Sequence, residues 1–383
     1  MNRFSFLLAF NGFVIISLFV YYFFPKEWKE TWWRKLILIA YHVIGVLSLE
    51  LTFLMYKDIP YHWLARLSVI ISTFYYVPIM IMGIFFAIGA AIRFIYRLFL
   101  KKHPDRPLSW KVPGAPHRAV LTASLAYLLT GVGFVNADHL YLTEYDVASA
   151  SMNGKEPLDI VLIADTHAGS GNWDSLYPEL SELVKQADPD VILIGGDIFD
   201  ETTGRSDMKM LGEVLRGFEA PLGVYYTLGN HDDPESEILR RAIDETGAVS
   251  LEDRGVRLRD DILLLGRKDD GQVRMTAEEI LSAADGDDTV LVLEHRPTEF
   301  QKLADLGTDL VMSGHTHGFN IPMIAAVYWK ANVVYGMRQY NDMTAVVTSG
   351  VSGWGFHYKC PAKNEVVLIH LHEHRRGYTA HSY

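Results

Sequence analysis

Five short polar clusters in this sequence combine carboxylate, imidazole and amide side chains, the groups that bind metal ions and move protons in enzymes. Each lies at the end of a short apolar run that is typical of a buried strand: 158–164, 191–194, 224–227, 290–294 and 310–312. The clusters are Asp165-Thr166-His167, Gly196-Asp197-Ile198-Phe199-Asp200, Gly229-Asn230-His231-Asp232, Glu294-His295 and Gly314-His315-Thr316-His317-Gly318. Because sites in open α/β sheets form beyond the carboxyl ends of strands, we expect the clusters to meet.

Taken singly, each cluster has a simpler interpretation. Gly-Asn-His-Asp suits a turn, Asp-Thr-His suits a helix N-cap, and His295 alone could be a core histidine. Taken together, these interpretations require five independent coincidences at the ends of five strands. The set therefore favours one shared site.

A mixed set of Asp, Asn and His suits two divalent transition-metal ions such as Mn, Zn or Fe, because these ions accept imidazole and carboxylate ligands. The spacing does not choose among the metals. Two ions about 3.5 to 4 Å apart can share a carboxylate, bind phosphoryl oxygens and generate a hydroxide for in-line attack. The chemistry predicted is hydrolysis of a phosphate ester or anhydride without a covalent enzyme intermediate.

The elements that must position these residues alternate between strands and helices. Helical spacing and length predict helices over 176–187, 208–218, 235–246 and 297–306. Strand-like segments without long helices between them follow at 332–335, 344–348 and 365–371. The pattern predicts an α/β domain with a second, more antiparallel sheet.

Charge separates the chain into two parts. Residues 1–140 carry fourteen Lys and Arg against six Asp and Glu, whereas the remainder carries 21 against 40. A basic, apolar first part suits a membrane, and an acidic second part suits water. The acidic part argues against a long nucleic acid as partner, because such binding draws on clustered Lys and Arg. A small or lipid-linked phosphate compound fits better.

Four apolar stretches in the first part have about the length that crosses a bilayer: 4–24, 36–56, 67–92 and 119–137. The last is made less apolar by Thr, Ser and Gly residues. A cleavable signal peptide is the alternative for the first stretch, but Phe23-Phe24-Pro25-Lys26 lacks the small residues of a cleavage site. The sequence thus predicts a transmembrane region over 1–140 with about four helices.

Basic residues are unequally shared among the loops between these stretches. The loops after the first and third stretches hold four and seven Lys and Arg, and the loop after the second holds two. By the positive-inside rule the two richer loops face the cytoplasm. We therefore expect a multi-pass protein of the cytoplasmic membrane whose second part lies on the extracytoplasmic side, provided that 119–137 crosses.

The ordered motifs D-x-H, G-D-x-x-D, G-N-H-D, H and G-H-x-H closely resemble those of the calcineurin-like metallophosphoesterase superfamily, over about residues 145–371. The resemblance implies a four-layer fold of two mixed β-sheets flanked by helices, over residues 141–383. The tail around Tyr335-Gly336, Ser349-Gly350-Val351 and Asn364-Glu365-Val366 resembles the bacterial membrane-associated phosphodiesterase branch. That branch usually continues its last motif as G-H-T-H-G-G-Q, whereas Phe319-Asn320 follows Gly318 here.

The resemblance also implies roles for single residues. It makes His231 the acid that protonates the leaving group, and it makes Asp200 the residue that orients His231. Its metal ligands are Asp165, His167 and His317 for one ion, Asn230, His295 and His315 for the other, and Asp197 as the bridge.

The function predicted from these observations is a membrane-anchored, dinuclear phosphodiesterase or pyrophosphatase. One alternative is a phosphomonoesterase with the same site, because the motifs fix the electrophile but not its substituents. Another is a membrane sensor or transporter in which the metal-binding domain is regulatory. The native substrate, the metal identity and the oligomeric state do not follow from the sequence.

Overall fold

The structure is a computed structural model that describes residues 31–55, 62–103, 115–169, 175–200, 202–233, 236–320 and 331–373. Its contacts divide the chain into two compact units, Met1–Phe134 and Val135–Tyr383. The predicted apolar stretch 4–24 lies outside the described residues. The predicted domain boundary after residue 140 stays a prediction.

Among the described residues of the first part of the chain, three segments form long helices: α1 (Trp32–Met55), α2 (His62–Lys102) and α3 (Ala115–Asn136). Each contains a stretch long and apolar enough to cross a membrane, at Trp32–Thr52, Trp63–Lys102 and His117–Asn136. The predicted stretches 36–56, 67–92 and 119–137 fall on these helices. α2 has 41 residues, which is longer than predicted because the helix continues into a basic last turn at Lys101 and Lys102.

Polar side chains pair between helices inside the first unit. His42 Nδ1 lies 2.7 Å from the hydroxyl of Tyr75, and the hydroxyls of Thr52 and Ser68 are 3.0 Å apart. Gly45 faces Tyr75 so closely that an added Cβ would come within 2.3 Å of the ring. Small residues and interhelical hydrogen bonds are how apolar helices associate in lipid.

In the described residues of the second unit, two mixed sheets of six strands each form the framework. The strands are β1 (Leu140–Ser149), β2 (Leu158–Ile163), β3 (Val191–Gly195), β4 (Val224–Thr227), β5 (Val249–Ser250), β6 (Arg254–Arg259), β7 (Ile262–Gly266), β8 (Thr289–Leu293), β9 (Leu310–Ser313), β10 (Gly336–Tyr340), β11 (Met343–Val347) and β12 (Asn364–Glu373). The first sheet has the order β1-β12-β2-β3-β4-β5, and the second β10-β11-β9-β8-β7-β6. β2 to β5 are parallel, as are β7, β8, β9 and β11.

Helices cover the outer faces of both sheets. They are α4 (Leu176–Ala187), α5 (Arg205–Arg216), α6 (Glu237–Asp244), α7 (Ala277–Leu281) and α8 (Phe300–Asp305). In α4, Leu180 and Val184 are spaced on one face and pack into the core outside the first sheet. Phe300 and Leu303 of α8 do the same outside the second sheet.

A third core lies between the two sheets, where Leu162 and Leu193 of the first meet Leu291 and Met312 of the second. Six strands of these sheets are almost entirely buried, namely β2, β3, β7, β8, β9 and β11, which is why the sequence shows continuous apolar runs there rather than alternation. The four-layer α/β fold is thus confirmed, with two mixed sheets flanked by helices.

Some predicted elements differ from the structure. The predicted strand over 332–335 is wrong, because β10 begins only at Gly336. The sequence analysis also did not predict β1 or the β6–β7 hairpin. Because β6 belongs to the second sheet, that sheet begins about 80 residues earlier in the chain than expected. β6 is an edge strand with three arginines among its six residues, so it lacks the apolar run by which the other strands were predicted.

Glu365 of β12 joins the two sheets near their carboxyl ends. Its buried carboxylate accepts hydrogen bonds from the hydroxyls of Thr143 at 2.7 Å, Tyr335 at 2.9 Å and Thr348 at 3.0 Å, and from Ser349 N at 2.9 Å. Thr143 lies on β1, whereas Thr348 and Ser349 follow β11 of the other sheet. Four donors on one carboxylate fix the loop after β11 beside the first sheet.

Candidate metal centre

The residues predicted for the site follow five parallel strands. Asp165 and His167 follow β2, Asp197 and Asp200 follow β3, Asn230 and His231 follow β4, His295 follows β8, and His315 and His317 follow β9. Backbone hydrogen bonds continue the pairing past the strand ends, with Asp165 N donating to Gly196 O and Gly314 N to His295 O, both at 3.0 Å. The loops are therefore held side by side in both sheets.

The backbone of these loops is strained at the chemically important positions. A positive φ is uncommon for residues with a Cβ and has a cost in conformational energy. Five of the predicted ligands adopt it: Asp165 (53°), His167 (39°), Asp197 (51°), His315 (72°) and His317 (50°). Such strain at several neighbouring side chains is typical of a functional site.

The first cluster consists of Asp165, His167 and His317. One ligand atom from each lies within 4.8 Å of the others, and all three residues are buried. The Nε2 atoms of His167 and His317 are 3.9 and 3.8 Å from Asp165 Oδ1, and the two rings are stacked with centroids 5.1 Å apart. One carboxylate and two imidazoles around a common point suit a divalent transition-metal ion.

The second cluster consists of Asp197, His295 and His315, again with ligand atoms within 4.8 Å of one another. His295 Nε2 is 3.1 Å from Asp197 Oδ2 and 3.2 Å from Asn230 Oδ1. The rings of His295 and His315 have centroids 5.0 Å apart. Asn230 therefore lies beside this cluster, and the ligand role that the resemblance implied for it stays a prediction.

Asp197 lies between the two clusters. Its Oδ2 is 3.1 Å from Nε2 of His295 in the second cluster and 3.6 Å from Nε2 of His167 in the first. Its Oδ1 accepts a hydrogen bond from His231 N at 2.8 Å. A carboxylate that faces both clusters has the position of a ligand shared by two ions.

Backbone carbonyls orient two of the imidazoles. His295 Nδ1 lies 2.8 Å from Gly195 O, and His317 Nδ1 lies 3.1 Å from Ser352 O. Because a carbonyl only accepts, each contact requires the proton on Nδ1 and leaves the Nε2 lone pair for the cluster. Such support is usual for histidine that ligates metal.

The electrostatics of the buried groups favour cations. Burial raises the pKa of Asp165 to about 7. Burial acts to lower the pKa of His295, but the carboxylates of Asp197 and Asp165 outweigh it and raise that pKa to about 10. Burial lowers the pKa of His317 to about 3, helped by the charge of Lys359. Buried carboxylates need compensating positive charge, so the donor set fits divalent ions.

His231 lies at the open side of the clusters and is half-buried. Its ring centroid is 5.1 Å from that of His167 and 4.6 Å from that of Trp354, whose plane is tilted by 45°. A histidine beside the clusters and partly open to solvent can exchange a proton with a bound molecule.

Asp200 lies beside His167. Its Oδ2 is 3.8 Å from His167 Nδ1, and its Oδ1 accepts hydrogen bonds from the backbone N and the hydroxyl of Thr202 at 2.7 and 2.5 Å. The carboxylate can therefore support a histidine of the first cluster. The role that the resemblance implied for Asp200, orientation of His231, stays a prediction.

The comparison with protein families agrees with this geometry. Residues 158–319 match the family model described as calcineurin-like phosphoesterase. The chain carries a calcineurin-like metallophosphoesterase domain. The matched range begins with β2 and ends just after His317, so it includes both clusters.

Relatives of the metallophosphoesterase domain occur in bacteria and animals. An uncharacterized metallophosphoesterase of Campylobacter jejuni is 30% identical over 228 residues, 57% of this chain and 60% of that protein. An uncharacterized metallophosphoesterase of Bacillus subtilis is 24% identical over 230 residues, 56% of this chain and 83% of that protein. The chain thus spans about 60% of the length of its Campylobacter relative.

A relative from Danio rerio extends into the helical part. It is named a transmembrane protein with metallophosphoesterase domain, and it is 24% identical over 363 residues, 88% of this chain and 80% of that protein. An alignment that covers 88% of the chain includes residues of the apolar helices. This relative and the three apolar helices indicate a membrane-associated protein.

Asp232 is a supporting residue to which the sequence analysis gave no role. Its carboxylate accepts hydrogen bonds from three backbone N–H groups, those of Ile198 (3.3 Å), Phe199 (2.9 Å) and Gly229 (2.8 Å). It therefore ties the loop after β3 to the loop after β4. The sequence feature that could have indicated this role is the position of Asp232 as the last residue of the Gly-Asn-His-Asp cluster.

Arg296 was also missed, although it follows His295 directly. Its Nε lies 3.0 Å from Asp269 Oδ1 and 3.4 Å from Asn230 Oδ1, and its NH1 donates to Asp270 Oδ1 at 2.5 Å. Asp269 and Asp270 stand in the loop after β7, a strand that the sequence reading did not identify. The contact could therefore not be foreseen.

A buried ion-pair network supports the loop that carries His295. Arg267 is 1% exposed, and its guanidinium donates to Glu294 at 2.8 Å and Glu299 at 3.0 Å. Arg274 also reaches both carboxylates, at 3.5 and 2.9 Å. Burial raises the pKa of Glu294 to about 7, against the lowering effect of both arginines. Glu294, the residue before His295, is thus held in place by ion pairs with Arg267 and Arg274.

We expect Arg267→Met to lower the free energy of unfolding by about 3 to 5 kcal/mol, because removing one partner leaves a buried carboxylate poorly compensated. Arg257→Met is the matched control. Arg257 pairs with Asp288 and Asp285 at 2.6 and 2.7 Å, but its side chain is 39% exposed, so we expect a much smaller loss. Urea unfolding of the detergent-solubilised chain measures both. Equal losses in the two variants would contradict the account.

Proposed function

We propose that the metallophosphoesterase domain holds two divalent metal ions and hydrolyses a phosphodiester or a pyrophosphate. The observation that carries the proposal is the position of Asp197, whose Oδ2 lies within 3.6 Å of a histidine nitrogen in each cluster. The first ion would be held by Asp165, His167 and His317. The second would be held by Asn230, His295 and His315, with Asp197 shared.

The ligand types suit Mn, Zn or Fe. When bound, two such ions neutralise charge on the phosphoryl oxygens and activate water as the nucleophile. The chain itself supplies orientation: carbonyl contacts direct Nε2 of His295 and His317 toward the clusters. The buried surroundings of the carboxylates exclude bulk water and strengthen these electrostatic interactions.

His231 is proposed as the acid that gives a proton to the leaving oxygen. Its backbone N–H is bound to Asp197, which holds the residue at the shared ligand, and its ring lies between the first cluster and Trp354. An imidazole is suited to this task near neutral pH. Asp200 is proposed to orient it.

The proposed substrate is a small or lipid-linked phosphate compound at the surface of the cytoplasmic membrane. The acidic composition of residues 141–383 disfavours a long nucleic acid, and the apolar helices support a position of the chain at a lipid bilayer. The proposed extracytoplasmic position of the domain rests on the basic loops and on the stretch 4–24, which lies outside the described residues.

The first test is hydrolysis of bis-p-nitrophenyl phosphate by the detergent-solubilised chain, supplied in turn with Mn, Zn or Fe. We expect metal-dependent turnover that Asp197→Asn abolishes, because an amide is a poor bridge between two ions. Asp188→Asn is the control, since Asp188 is an exposed helix C-cap with φ of 43° that Asn adopts readily.

Two results would change this proposal. Faster turnover of p-nitrophenyl phosphate than of the diester would favour the phosphomonoesterase. A metal-loaded wild-type chain that hydrolyses neither compound would favour a sensor or transporter with a regulatory domain.

His231 is tested by the leaving group. We expect His231→Ala to reduce kcat by about 10²- to 10⁴-fold for a diester with an alkyl leaving group, because that oxygen needs a proton, and by much less for p-nitrophenolate. Metal content should stay at the wild-type level. His370→Ala, at a part-exposed histidine of β12 paired with Asp159, is the control. Equal losses for both leaving groups would contradict a role as acid.

A further inference from the structure

Lys359 is a charged side chain buried behind the first cluster. It is 0% exposed, and its Nζ donates to Ser349 O at 2.5 Å and to Ser352 O at 3.0 Å. Burial lowers its pKa to about 8, against the raising effect of the carboxylates of Asp165 and Glu365. Burying an ammonium group is costly, so its position calls for an explanation.

The two carbonyls belong to the ends of one segment, the 349–352 turn. This turn lies along the backbone that carries Asp165. Ser352 donates to Asp165 O through its N at 3.2 Å and its hydroxyl at 3.0 Å, and Val351 N donates to Ala164 O at 2.9 Å. Gly350, with φ of 83°, comes so close that an added Cβ would lie 2.6 Å from Asp165 Cβ. The position of the turn therefore determines the position of Asp165.

The same turn orients His317. Ser352 O accepts hydrogen bonds from both His317 Nδ1, at 3.1 Å, and Lys359 Nζ, at 3.0 Å. The lysine thus holds the carbonyl that directs Nε2 of His317 toward the cluster. In the second cluster, His295 takes the corresponding support from Gly195 O instead. Two of the three residues of the first cluster depend on the turn that Lys359 holds.

We propose that Lys359 is a positioning residue for one metal site: by holding the 349–352 turn, it keeps Asp165 and His317 in the geometry that binds an ion. The inference rests on the proposed two-metal function. It makes a prediction of definite sign. Loss of the lysine's charge alone would favour a nearby cation, because like charges repel. Loss of its positioning would weaken ion binding.

The test is Mn(II) titration of the full chain in detergent, with bound metal counted after equilibrium dialysis. We expect Lys359→Met to raise one of two Mn(II) dissociation constants by about 10- to 100-fold and to leave the other within about twofold of wild type. Lys359→Arg keeps the charge and the donors, so it should restore most of the affinity.

Lys155→Met is the matched control. Lys155 Nζ also donates to two backbone carbonyls, those of Asp261 at 2.9 Å and Asp287 at 2.8 Å, but it does so beside the amino ends of β7 and β8. We expect this variant to lose stability without loss of metal affinity. An equal loss of affinity in both variants would overturn the inference, because general destabilisation would then explain it.

Other outcomes separate the two claims. A wild-type chain that binds fewer than two Mn(II) ions overturns the proposed function and this inference with it. Two wild-type sites whose affinities are unchanged, or tighter, in Lys359→Met overturn the inference alone. If Lys359→Met does not fold, Lys359→Gln keeps an uncharged amide donor on a shorter side chain, and the same direction of change is expected. Unchanged affinity in that variant also overturns the inference.

Discussion

The burial of two neighbouring carboxylates, Asp165 and Asp197, is the constraint on which the rest of the domain depends. Both are almost inaccessible to solvent, and negative charge is costly to bury without partners. Backbone N–H groups offset part of the cost: His315 N donates to both oxygens of Asp165, and His231 N donates to Asp197. Bound cations would supply the remaining positive charge, so that the carboxylates and the ions would form one electrostatic unit.

That unit is held by strained loops, and the strain must be compensated by contacts outside the clusters. Left-handed backbone at Asp165 and Asp197 persists because the surrounding structure fixes it. Asp232 binds the loops after β3 and β4, Arg267 fixes the residue before His295, and Lys359 holds the turn behind Asp165. These three buried ionic groups thus lie around the site, where they restrict the geometry of the ligands.

Much of the fold and of the candidate site could be predicted from the sequence, for a physical reason. Parallel strands that are buried on both faces appear in the sequence as continuous apolar runs, and the functional side chains follow these strands directly. Runs such as 158–164 and 191–194 therefore indicated both the strands and the candidate site residues. Among the supporting residues, Asp232 lies within a cluster that the sequence showed, but no local pattern indicates the roles of Arg267 and Lys359. Arg267, Asp232 and Lys359 act through partners that lie far away in the sequence or on the backbone, and β6 is an edge strand that carries three arginines. Pairing of that kind becomes visible only in three dimensions.

The central claim is that Asp197 joins two ions in one centre. Electron paramagnetic resonance of the Mn(II)-loaded chain tests it most directly, because two Mn(II) ions about 3.5 to 4 Å apart that share a carboxylate are magnetically coupled. The account predicts two Mn(II) ions per chain with the spectrum of a coupled pair, and only isolated Mn(II) in Asp197→Ala. Isolated Mn(II) signals from a wild-type chain loaded with two ions, or saturation at one ion, would contradict it.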